Sequence, residues 1–380
     1  MFSSRSNIDR RLNPLAEALQ AARNEGREFV DLTVSNPTLA DFTYPDEVIR
    51  RALSNNADAV YRAESLGLPE AREAVATEFD WDANRVIITS STSEAYSLLF
   101  QLLADPGDCI LTPRPGYPLL EHLVRFAGLR EESYRSFYDG CWTLDHQSLL
   151  SRDQARAVVT VSPNNPTGEM LSPNHRDALL SLGKPLIVDE VFFPYGLDSS
   201  PPAQSAVADI QTGLAFSLGG LSKYAGLPHM KLAWILVAGD PAIVAEALSR
   251  LSIVADAYLS PNQMTQLALP VIFESTRGVR DAICNRTRRN LNHLRQSCRT
   301  IPSLSTPKID GGWYAPLRLP AIHTEEEWCL RLLKDNVLVH PGYFYDFDDQ
   351  AYVVLSLLTP PKAFALGVER LLGCLERERL

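Results

Sequence analysis

The middle of the chain alternates between short apolar runs and amphipathic stretches that begin at a capping residue or a proline. Apolar runs at residues 86–89, 109–112, 157–161 and 185–188 are separated by segments with helical periodicity. Strands that alternate with helices form parallel sheets, because each helix carries the chain back across a face of the sheet. The sequence therefore predicts an α/β fold, with a mostly parallel sheet flanked by helices on both faces.

The length of the chain predicts a second, smaller domain. At 380 residues the chain is too long for one simple core. A long helical stretch at about residues 263–298 leads into short strands, and a final helix is predicted near residues 362–378. We expect a large α/β domain at residues 41–285 and a smaller α+β domain that joins residues 1–40 to residues 286–380.

Composition and charge argue against several functions. The net charge of −10 argues against nucleic-acid binding, and a cluster of arginines at residues 286–299 is taken as a solvated helix face. No apolar run approaches the ~20 residues of a membrane span, and the N-terminus lacks the apolar segment of a secretion signal. Six scattered cysteines fit reduced thiols in the cytoplasm, and no His or Cys spacing is typical of a metal site.

A lysine in an unusually apolar setting is the first candidate for chemistry. Lys223 lies among Gly, Leu, Ala and Pro residues in the segment from Ser217 to Lys231. An ammonium group loses hydration there, so its pKa falls and a neutral amine becomes available to condense with a carbonyl group. The alternative is a surface lysine on a glycine-rich turn.

Two further candidates follow predicted strands, and ligands of parallel sheets bind at the carboxyl ends of strands. Asp189 ends an apolar run, where a buried carboxylate needs a partner. A protonated ring nitrogen is one such partner, and the alternative is that Asp189 caps the next turn. Asn165, in the loop Ser162-Pro-Asn-Asn-Pro-Thr-Gly168, presents an amide that can donate to a phenolate-like oxygen, although such turns are common.

Three hydroxyl residues, Ser91, Thr92 and Ser93, open a predicted helix. Backbone N–H groups and hydroxyls there form an anion site that suits a phosphate, and simple N-capping is the alternative. Tyr117, in a proline-rich turn, can stack on a planar ring or simply pack. With the lysine, these side chains predict a heteroaromatic cofactor that carries a phosphate, a basic ring nitrogen and an aldehyde, which is pyridoxal 5′-phosphate (PLP).

The order of these motifs resembles that of a known family. Asn-Asn-Pro-Thr-Gly, then Asp-Glu, then Ser-Lys thirty-four residues after the aspartate, is similar to the class I/II aminotransferase family of fold type I PLP-dependent enzymes, and the resemblance covers nearly the whole chain. It implies an aminotransferase that moves an amino group between an amino acid and a 2-oxo acid. It also implies a homodimer with shared active sites, and it leaves the substrates unassigned.

The resemblance implies a role for each motif residue. Lys223 forms the Schiff base with PLP and then acts as a general base, while Asp189 keeps the pyridine nitrogen protonated. Asn165 donates to the phenolic oxygen and Tyr117 stacks on the ring. The residues implied for the phosphate are Ser91, Thr92, Ser93, Ser222, Lys231 and, from the neighbouring subunit, Tyr61.

Four positions depart from the family's pattern. Phe192 replaces a tyrosine that donates to the phenolic oxygen, so we expect a raised pKa for the Schiff base. Lys231 replaces an arginine near the phosphate, and Gly220 replaces a serine. Val354 replaces the arginine that clamps the substrate carboxylate, which removes a bidentate partner.

Another group must therefore bind the substrate if it carries a carboxylate. Arg318, on a predicted strand, is a candidate, and the alternative is a surface arginine. Ser35 and Asn36, in the turn after the first predicted strand, are further candidates for substrate binding.

Other functions stay open at this point. A PLP-dependent lyase, decarboxylase or oxidase fits the same fold, because Phe192 and Val354 alter the site and a fold does not determine a reaction. A PLP-binding regulatory module would need a DNA-binding domain, for which the chain has neither spare length nor a basic patch. A hydrolase with the Ser-x-x-Lys motif at Ser181–Lys184 lacks companion motifs.

Overall fold

The computed structural model describes residues 1–56, 60–150, 154–347 and 351–378. Its strands are β1 (Val30–Asp31), β2 (Val86–Thr89), β3 (Cys109–Arg114), β4 (Arg130–Tyr138), β5 (Trp142–Leu144), β6 (Ala155–Val161), β7 (Leu186–Asp189), β8 (Leu214–Gly220), β9 (Ala233–Gly239), β10 (Tyr314–Arg318), β11 (Val337–Leu338), β12 (His340–Pro341) and β13 (Tyr352–Ser356). Its helices are α1 (Pro14–Asn24), α2 (Asp46–Ser54), α3 (Pro69–Phe79), α4 (Thr92–Leu103), α5 (Leu119–Phe126), α6 (His146–Leu150), α7 (Pro173–Leu180), α8 (Leu221–Tyr224), α9 (Pro241–Asp256), α10 (Gln263–Ser275), α11 (Arg277–Cys298), α12 (Glu325–Lys334) and α13 (Pro361–Arg377).

One large mixed sheet forms the centre of the molecule. Its strand order is β2-β9-β8-β7-β6-β3-β4-β5. The neighbours from β8 to β4 are parallel, whereas β9 is antiparallel to both β2 and β8, and β5 is antiparallel to β4. The four apolar runs predicted as strands are β2, β3, β6 and β7, so the predicted α/β fold with a mostly parallel sheet is confirmed.

Helices cover both faces of this sheet, which explains why its central strands are apolar without alternation. In β7, Ile187 packs into a core with α4, α5 and α9, while Leu186 and Val188 pack on the opposite face beside α7. A strand with two buried faces keeps its backbone polar groups inside the ladder, so only side chains at its ends are free to meet a ligand.

Two small sheets lie outside the central one. The strands β10, β13 and β12 form an antiparallel sheet, and β1 pairs in parallel with β11. The N–H groups of Val30 and Leu32 donate to the carbonyls of Asn336 and Leu338, each at 2.9 Å. The N-terminal segment therefore pairs with the C-terminal part of the chain. The domain boundaries at residues 41 and 285 stay a prediction.

The long helical stretch predicted at residues 263–298 is two helices, α10 and α11, which meet at Thr276. The Thr276 hydroxyl donates to the carbonyl of Ile272 at 2.7 Å, and its backbone (φ −96°, ψ 4°) leaves the helical region. Threonine hydroxyls compete with the helix for backbone carbonyls, which is why helical periodicity alone did not reveal the break.

No helix in the described part of the chain is both long and apolar enough to cross a bilayer. Within the same residues, no group of three or more His, Cys, Asp or Glu side chains is arranged to hold a metal ion. The six cysteines are free thiols.

Candidate active site

A cavity of about 310 Å³ lies at the carboxyl edge of the central sheet. The strands β2, β3, β6, β7 and β8 all point toward this edge, and each is followed by residues that line the cavity. Parallel strands bring their carboxyl ends to one edge of a sheet, so residues far apart in the sequence meet there. The predicted site residues that line the cavity are Ser35, Ser91, Thr92, Ser93, Tyr117, Asn165, Asp189, Ser222, Lys223 and Lys231.

Lys223 lies on α8, a single helical turn that directly follows β8. Its Nζ is 5.2 Å from the ring centroid of Trp313 and 6.0 Å from that of Phe192. Burial lowers the pKa of Lys223, and the charge of Asp189 opposes this only in part. The structure therefore enlarges the fraction of neutral amine, as the apolar sequence around the lysine predicts.

Glycines allow the turn that carries the lysine to approach its neighbours closely. A Cβ at Gly219 would lie 2.4 Å from Nε1 of Trp234, and one at Gly220 would lie 3.1 Å from the Cβ of Ala233. The two glycines thus leave room for the paired residues of the neighbouring strand β9, just before the chain turns toward the cavity. Gly220, a departure from the resembled pattern, lines the cavity itself.

Asp189 ends β7 with 4% of its surface exposed, and both of its carboxylate oxygens accept a hydrogen bond. The N–H of Val191 donates to Oδ1 at 3.1 Å, and the hydroxyl of Tyr96 donates to Oδ2 at 2.9 Å. Burial raises the pKa of Asp189 to about 6, while the two donors and the charge of Lys223 act in the opposite direction. The carboxylate therefore caps the following turn and also faces the cavity.

The loop that carries Asn165 is held rigidly on the sheet. The N–H of Ser162 donates to the carbonyl of Asp189 at 2.8 Å, and Asn164 Oδ1 accepts from the N–H and hydroxyl of Thr167. Gly168 has φ +71°, and a Cβ there would lie 2.4 Å from Cγ2 of Ile309. The asparagine that faces the cavity is thus fixed by its neighbours.

The first turn of α4 supplies the predicted anion site. Ser91 is the N-cap, and its Oγ accepts the N–H of Glu94 at 3.2 Å, so the N-capping alternative describes this residue. Among the described residues, the hydroxyls of Thr92 and Ser93 have no partner and face the cavity. Lys231, an exposed residue in the left-handed region (φ 47°), forms no ion pair within the described part of the chain.

Tyr117 follows a turn that is anchored to a later segment of the chain. The N–H of Gly116 donates to the carbonyl of Tyr345 at 3.0 Å, and a Cβ at Gly116 would lie 2.3 Å from the carbonyl oxygen of Pro113. Burial and the charge of Asp189 raise the pKa of Tyr117. A neutral phenol ring is thereby held at one wall of the cavity.

The wall near Lys223 is aromatic rather than cationic. Phe192 packs edge-on against Trp313 and Tyr314 at centroid distances of 5.3 and 6.1 Å. Val354 is buried with them and lies opposite His340 in the register of β12 and β13. Within the described residues, no arginine lines the cavity.

Three of the predicted site residues lie outside the cavity lining. The side chain of Asn36 accepts from the N–H and hydroxyl of Thr38, which caps the turn that follows it. Arg318 is exposed at the end of β10, where its backbone pairs with Ser305. Tyr61 is 67% exposed. Their roles in binding stay predictions.

Two polar residues of the site belong to none of the sequence motifs. Tyr314 lines the cavity, and Tyr96 donates to Asp189. Tyr96 follows Thr92 by four residues on α4, so helical periodicity could have placed it on the same face. Nothing in the local sequence marks Tyr314, whose position depends on how β10 pairs with β13.

The residues that line the cavity fit PLP. They supply an anion site at the start of α4, a buried carboxylate for a ring nitrogen, and an amine with a lowered pKa for an aldehyde. In addition, Oδ1 of Asn165 is buried without a partner among the described residues. A buried acceptor without a donor is costly, so this oxygen requires an N–H or O–H group from a ligand.

The chain is similar in sequence to known aminotransferases. The model of the family "Aminotransferase class I and II" matches residues 27–357. The chain is 26% identical to an alanine aminotransferase of Mycobacterium tuberculosis, with 91% of this chain and 85% of that protein covered. It is 25% identical to the mouse tyrosine aminotransferase, with 91% of this chain and 81% of that protein covered.

A solved structure shows the same fold. An alanine aminotransferase from Pyrococcus furiosus superposes with a TM-score of 0.89 at 22% identity, over 99% of this chain and all of that one. The fold is that of the fold type I PLP-dependent aminotransferases. The chain belongs to the class I and II aminotransferase family, and the protein is an enzyme that transfers amino groups.

Proposed function

We propose that the cavity holds PLP bound covalently to Lys223, and that the enzyme uses it to move an amino group from an amino acid to a 2-oxo acid. The observation that carries this proposal is the position of Lys223 and Asp189 at one cavity that also receives the start of α4. An amine, a carboxylate and an anion site at these three points match the aldehyde, ring nitrogen and phosphate of one cofactor.

When bound, PLP supplies an aldehyde that captures amines and a protonated ring that withdraws electrons from the adjacent carbon. The chain supplies the remaining chemistry. Nζ of Lys223 would take the proton from the substrate's Cα and deliver it to the former aldehyde carbon of the cofactor, because its lowered pKa leaves part of it unprotonated. Asp189 holds a proton on the ring nitrogen, and the hydroxyls of Thr92 and Ser93 bind the phosphate.

The aromatic wall also helps Lys223 to act as a base. Trp313 and Phe192 are buried, and their ring centroids lie 5.2 and 6.0 Å from Nζ, so this side of the amine borders apolar groups. An amine that is poorly hydrated favours its neutral form, which is the form that accepts a proton. The rings thus support proton transfer without contributing a titrating group of their own.

The amino donor and the acceptor are assigned only as classes, an amino acid and a 2-oxo acid. Relatives of the chain include aminotransferases named for alanine, tyrosine and nicotianamine, so the likeness does not select one substrate. Three of the uncharged polar residues that line the cavity are Ser35, Tyr117 and Tyr314. We propose that they orient the substrate in place of an arginine.

A half-reaction with a panel of amino donors tests the proposed function. The PLP-loaded enzyme should be yellow, should lose that absorbance when a suitable amino acid is added, and should regain it with a 2-oxo acid. Absorbance that never changes with any donor, together with release of ammonia or carbon dioxide, would instead favour a lyase or decarboxylase. Consumption of oxygen would favour an oxidase.

We propose a homodimer on the basis of an exposed apolar segment that is nevertheless fixed in place. Val60 and Tyr61 are 85% and 67% exposed. The side chain of Gln263 donates to the carbonyl of Val60 and accepts the N–H of Arg62, each at 2.8 Å. Apolar side chains held rigidly in solvent are typical of a surface that another chain covers. In a dimer of this kind, Tyr61 would reach the phosphate of the neighbouring subunit.

A cytoplasmic location is supported by the thiols. The six cysteines are free, and the cytoplasm keeps cysteines reduced. Fractionation of cells that express the chain, followed by detection with an antibody, should recover it with cytoplasmic markers. Recovery in another fraction would contradict this location.

A further inference from the structure

Tyr96 contacts the carboxylate of Asp189, although it belongs to none of the motifs that mark the site. It lies on α4 with 1% of its surface exposed, and its hydroxyl donates to Oδ2 of Asp189 at 2.9 Å. Residues four apart share a face of a helix. The face of α4 that presents Thr92 to the cavity therefore presents Tyr96 to the carboxylate one turn later.

We propose that Tyr96 is a positioning residue, which holds the Asp189 carboxylate in the orientation and the anionic form that a protonated ring nitrogen needs. This inference rests on the proposed function, because it assigns Tyr96 a role toward the cofactor ring through Asp189. It does not make Tyr96 a catalytic residue, since Tyr96 is not among the residues that line the cavity.

The geometry of the carboxylate supports this role. Each oxygen accepts one hydrogen bond, Oδ1 from the N–H of Val191 and Oδ2 from the hydroxyl of Tyr96. The two donors belong to different elements, the turn after β7 and the helix α4. The carboxylate cannot rotate without losing one of them, so the acceptor sites that remain keep a constant direction toward the cavity.

The packing of Tyr96 makes its hydroxyl a donor in a fixed position. Its ring packs against that of Phe100 at a centroid distance of 5.8 Å. Both residues lie in the core between α4 and the sheet. A side chain held on both sides by a packed core has little freedom to turn, so the hydroxyl remains directed at the carboxylate.

The hydroxyl of Tyr96 also affects the pKa of Asp189. Burial raises the pKa of this carboxyl group, and the hydrogen bond from Tyr96 is among the interactions that lower it. A proton shared between a carboxylate and a ring nitrogen moves toward the more basic of the two. Without the hydroxyl the carboxylate becomes more basic, so Tyr96 favours the proton on the ring. The titratable groups that interact electrostatically with Asp189 are Tyr96, Tyr117, Lys223 and Glu190.

Tyr96→Phe removes the hydroxyl and keeps the ring, and Tyr134→Phe is its matched control. Tyr134, on β4, is buried as Tyr96 is, but its hydroxyl donates to the carbonyl of Val159 at 3.1 Å. In full-length protein freed of cofactor and labelled with ¹³C at aspartate carboxyls, the Asp189 signal is assigned by its loss in Asp189→Asn. We expect Tyr96→Phe to raise the pKa of Asp189 by roughly one unit. Tyr134→Phe should leave it unchanged.

PLP binding provides the second measurement, as a double-mutant cycle. Tyr96→Phe should raise the Kd for PLP roughly tenfold. In the Asp189→Asn background the same substitution should have little further effect, because the charged acceptor is already gone. The control should bind PLP as the unchanged protein does.

Two results would overturn the inference. One is an unchanged pKa of Asp189 in Tyr96→Phe, and the other is an equal loss of PLP affinity with and without the carboxylate, which indicates a purely structural effect. If the unchanged chain bound no PLP at all, the proposed function would fail by itself. The titration in cofactor-free protein would still decide whether Tyr96 controls Asp189.

Discussion

At the scale of single residues, Asp189 is one of the groups that make the stability of the cofactor-free protein depend on pH. Burial raises its pKa from 3.8 to about 6, so between these values the folded state holds a proton that the unfolded state has released. Below pH 3.8, Asp189 therefore adds about 3 kcal/mol to the free energy of unfolding. This contribution is lost as the pH rises through the folded-state pKa of about 6.

We predict that Asp189→Asn escapes this loss, because an amide does not ionise. The check is denaturant unfolding of both cofactor-free proteins between about pH 4 and pH 7. The free energy of unfolding of the variant minus that of the unchanged protein should increase across this range by up to about 3 kcal/mol. A difference that stays constant with pH would show that the native carboxyl titrates as it does in the unfolded chain.

We propose that a second residue, Phe192, limits the number of donors to the phenolic oxygen of the cofactor. Phe192 lines the cavity, and a hydroxyl on its ring would place another donor in this wall. We predict that Phe192→Tyr lowers the midpoint of the absorbance titration of the PLP-loaded enzyme, because a donor to that oxygen weakens its hold on the adjacent proton. Phe193→Tyr, one residue away and outside the lining, should leave the midpoint unchanged. A midpoint in Phe192→Tyr that is equal or higher would contradict this assignment.

The site residues differ in how far the sequence could reveal them. Lys223, Asp189 and Asn165 were predictable because each follows an apolar strand, and the ends of parallel strands converge. Tyr96 was not, since its hydrogen bond joins residues 93 positions apart on a helix and a strand. Only the packing of α4 on the sheet brings Tyr96 and Asp189 together. Local periodicity in the sequence does not show which residues of a helix and a strand come into contact.

At the scale of elements, the first residues of α4 differ in their roles. Ser91 stabilises the helix, and we propose that Ser93 binds the cofactor. Ser91 caps the helix through its side chain, whereas Ser93 faces the cavity without a partner among the described residues. We predict that Ser91→Ala lowers the free energy of unfolding of the cofactor-free protein by about 1 kcal/mol, because a helix loses its cap. Ser93→Ala should leave that free energy nearly unchanged and should weaken PLP binding.

Denaturant unfolding and PLP titration of the two variants form one experiment in which each serves as the other's control. If Ser93→Ala destabilised the cofactor-free protein as much as Ser91→Ala, its hydroxyl would be part of the cap. If Ser93→Ala bound PLP normally, the hydroxyl would not belong to the phosphate site.

The elements also show where prediction from sequence stops. The run at residues 86–89 is β2 with the same bounds, because apolar β-branched residues between turn signals describe a buried strand directly. The antiparallel placement of β9 between β2 and β8 was not predicted. The sequence of β9 is as apolar as that of its parallel neighbours, so its direction depends on tertiary structure alone.

At the scale of the whole molecule, the proposed dimer predicts that active sites are shared between subunits. We expect the Lys223→Ala variant to be inactive and the Tyr61→Ala variant to be impaired. In a mixed dimer, the subunit that retains Lys223 would receive Tyr61 from its partner, so one of the two sites would be complete. With random pairing, co-expression should restore about one quarter of the activity of the unchanged enzyme.

Co-expression of the two variants with different affinity tags, followed by purification on both tags, isolates the mixed dimer for assay. No gain over Tyr61→Ala alone would show that Tyr61 serves its own subunit or no site. A chain that sediments as a monomer at assay concentration would exclude a shared site altogether.

The proposed bond between Lys223 and PLP is an imine, and reduction makes it permanent. The PLP-loaded enzyme is treated with borohydride, and its peptides are mapped by mass spectrometry. We expect a pyridoxyl group on the peptide that contains Lys223, and none on the Lys223→Ala variant. An unmodified Lys223, or a pyridoxyl group found only on one of the other five lysines, would contradict it.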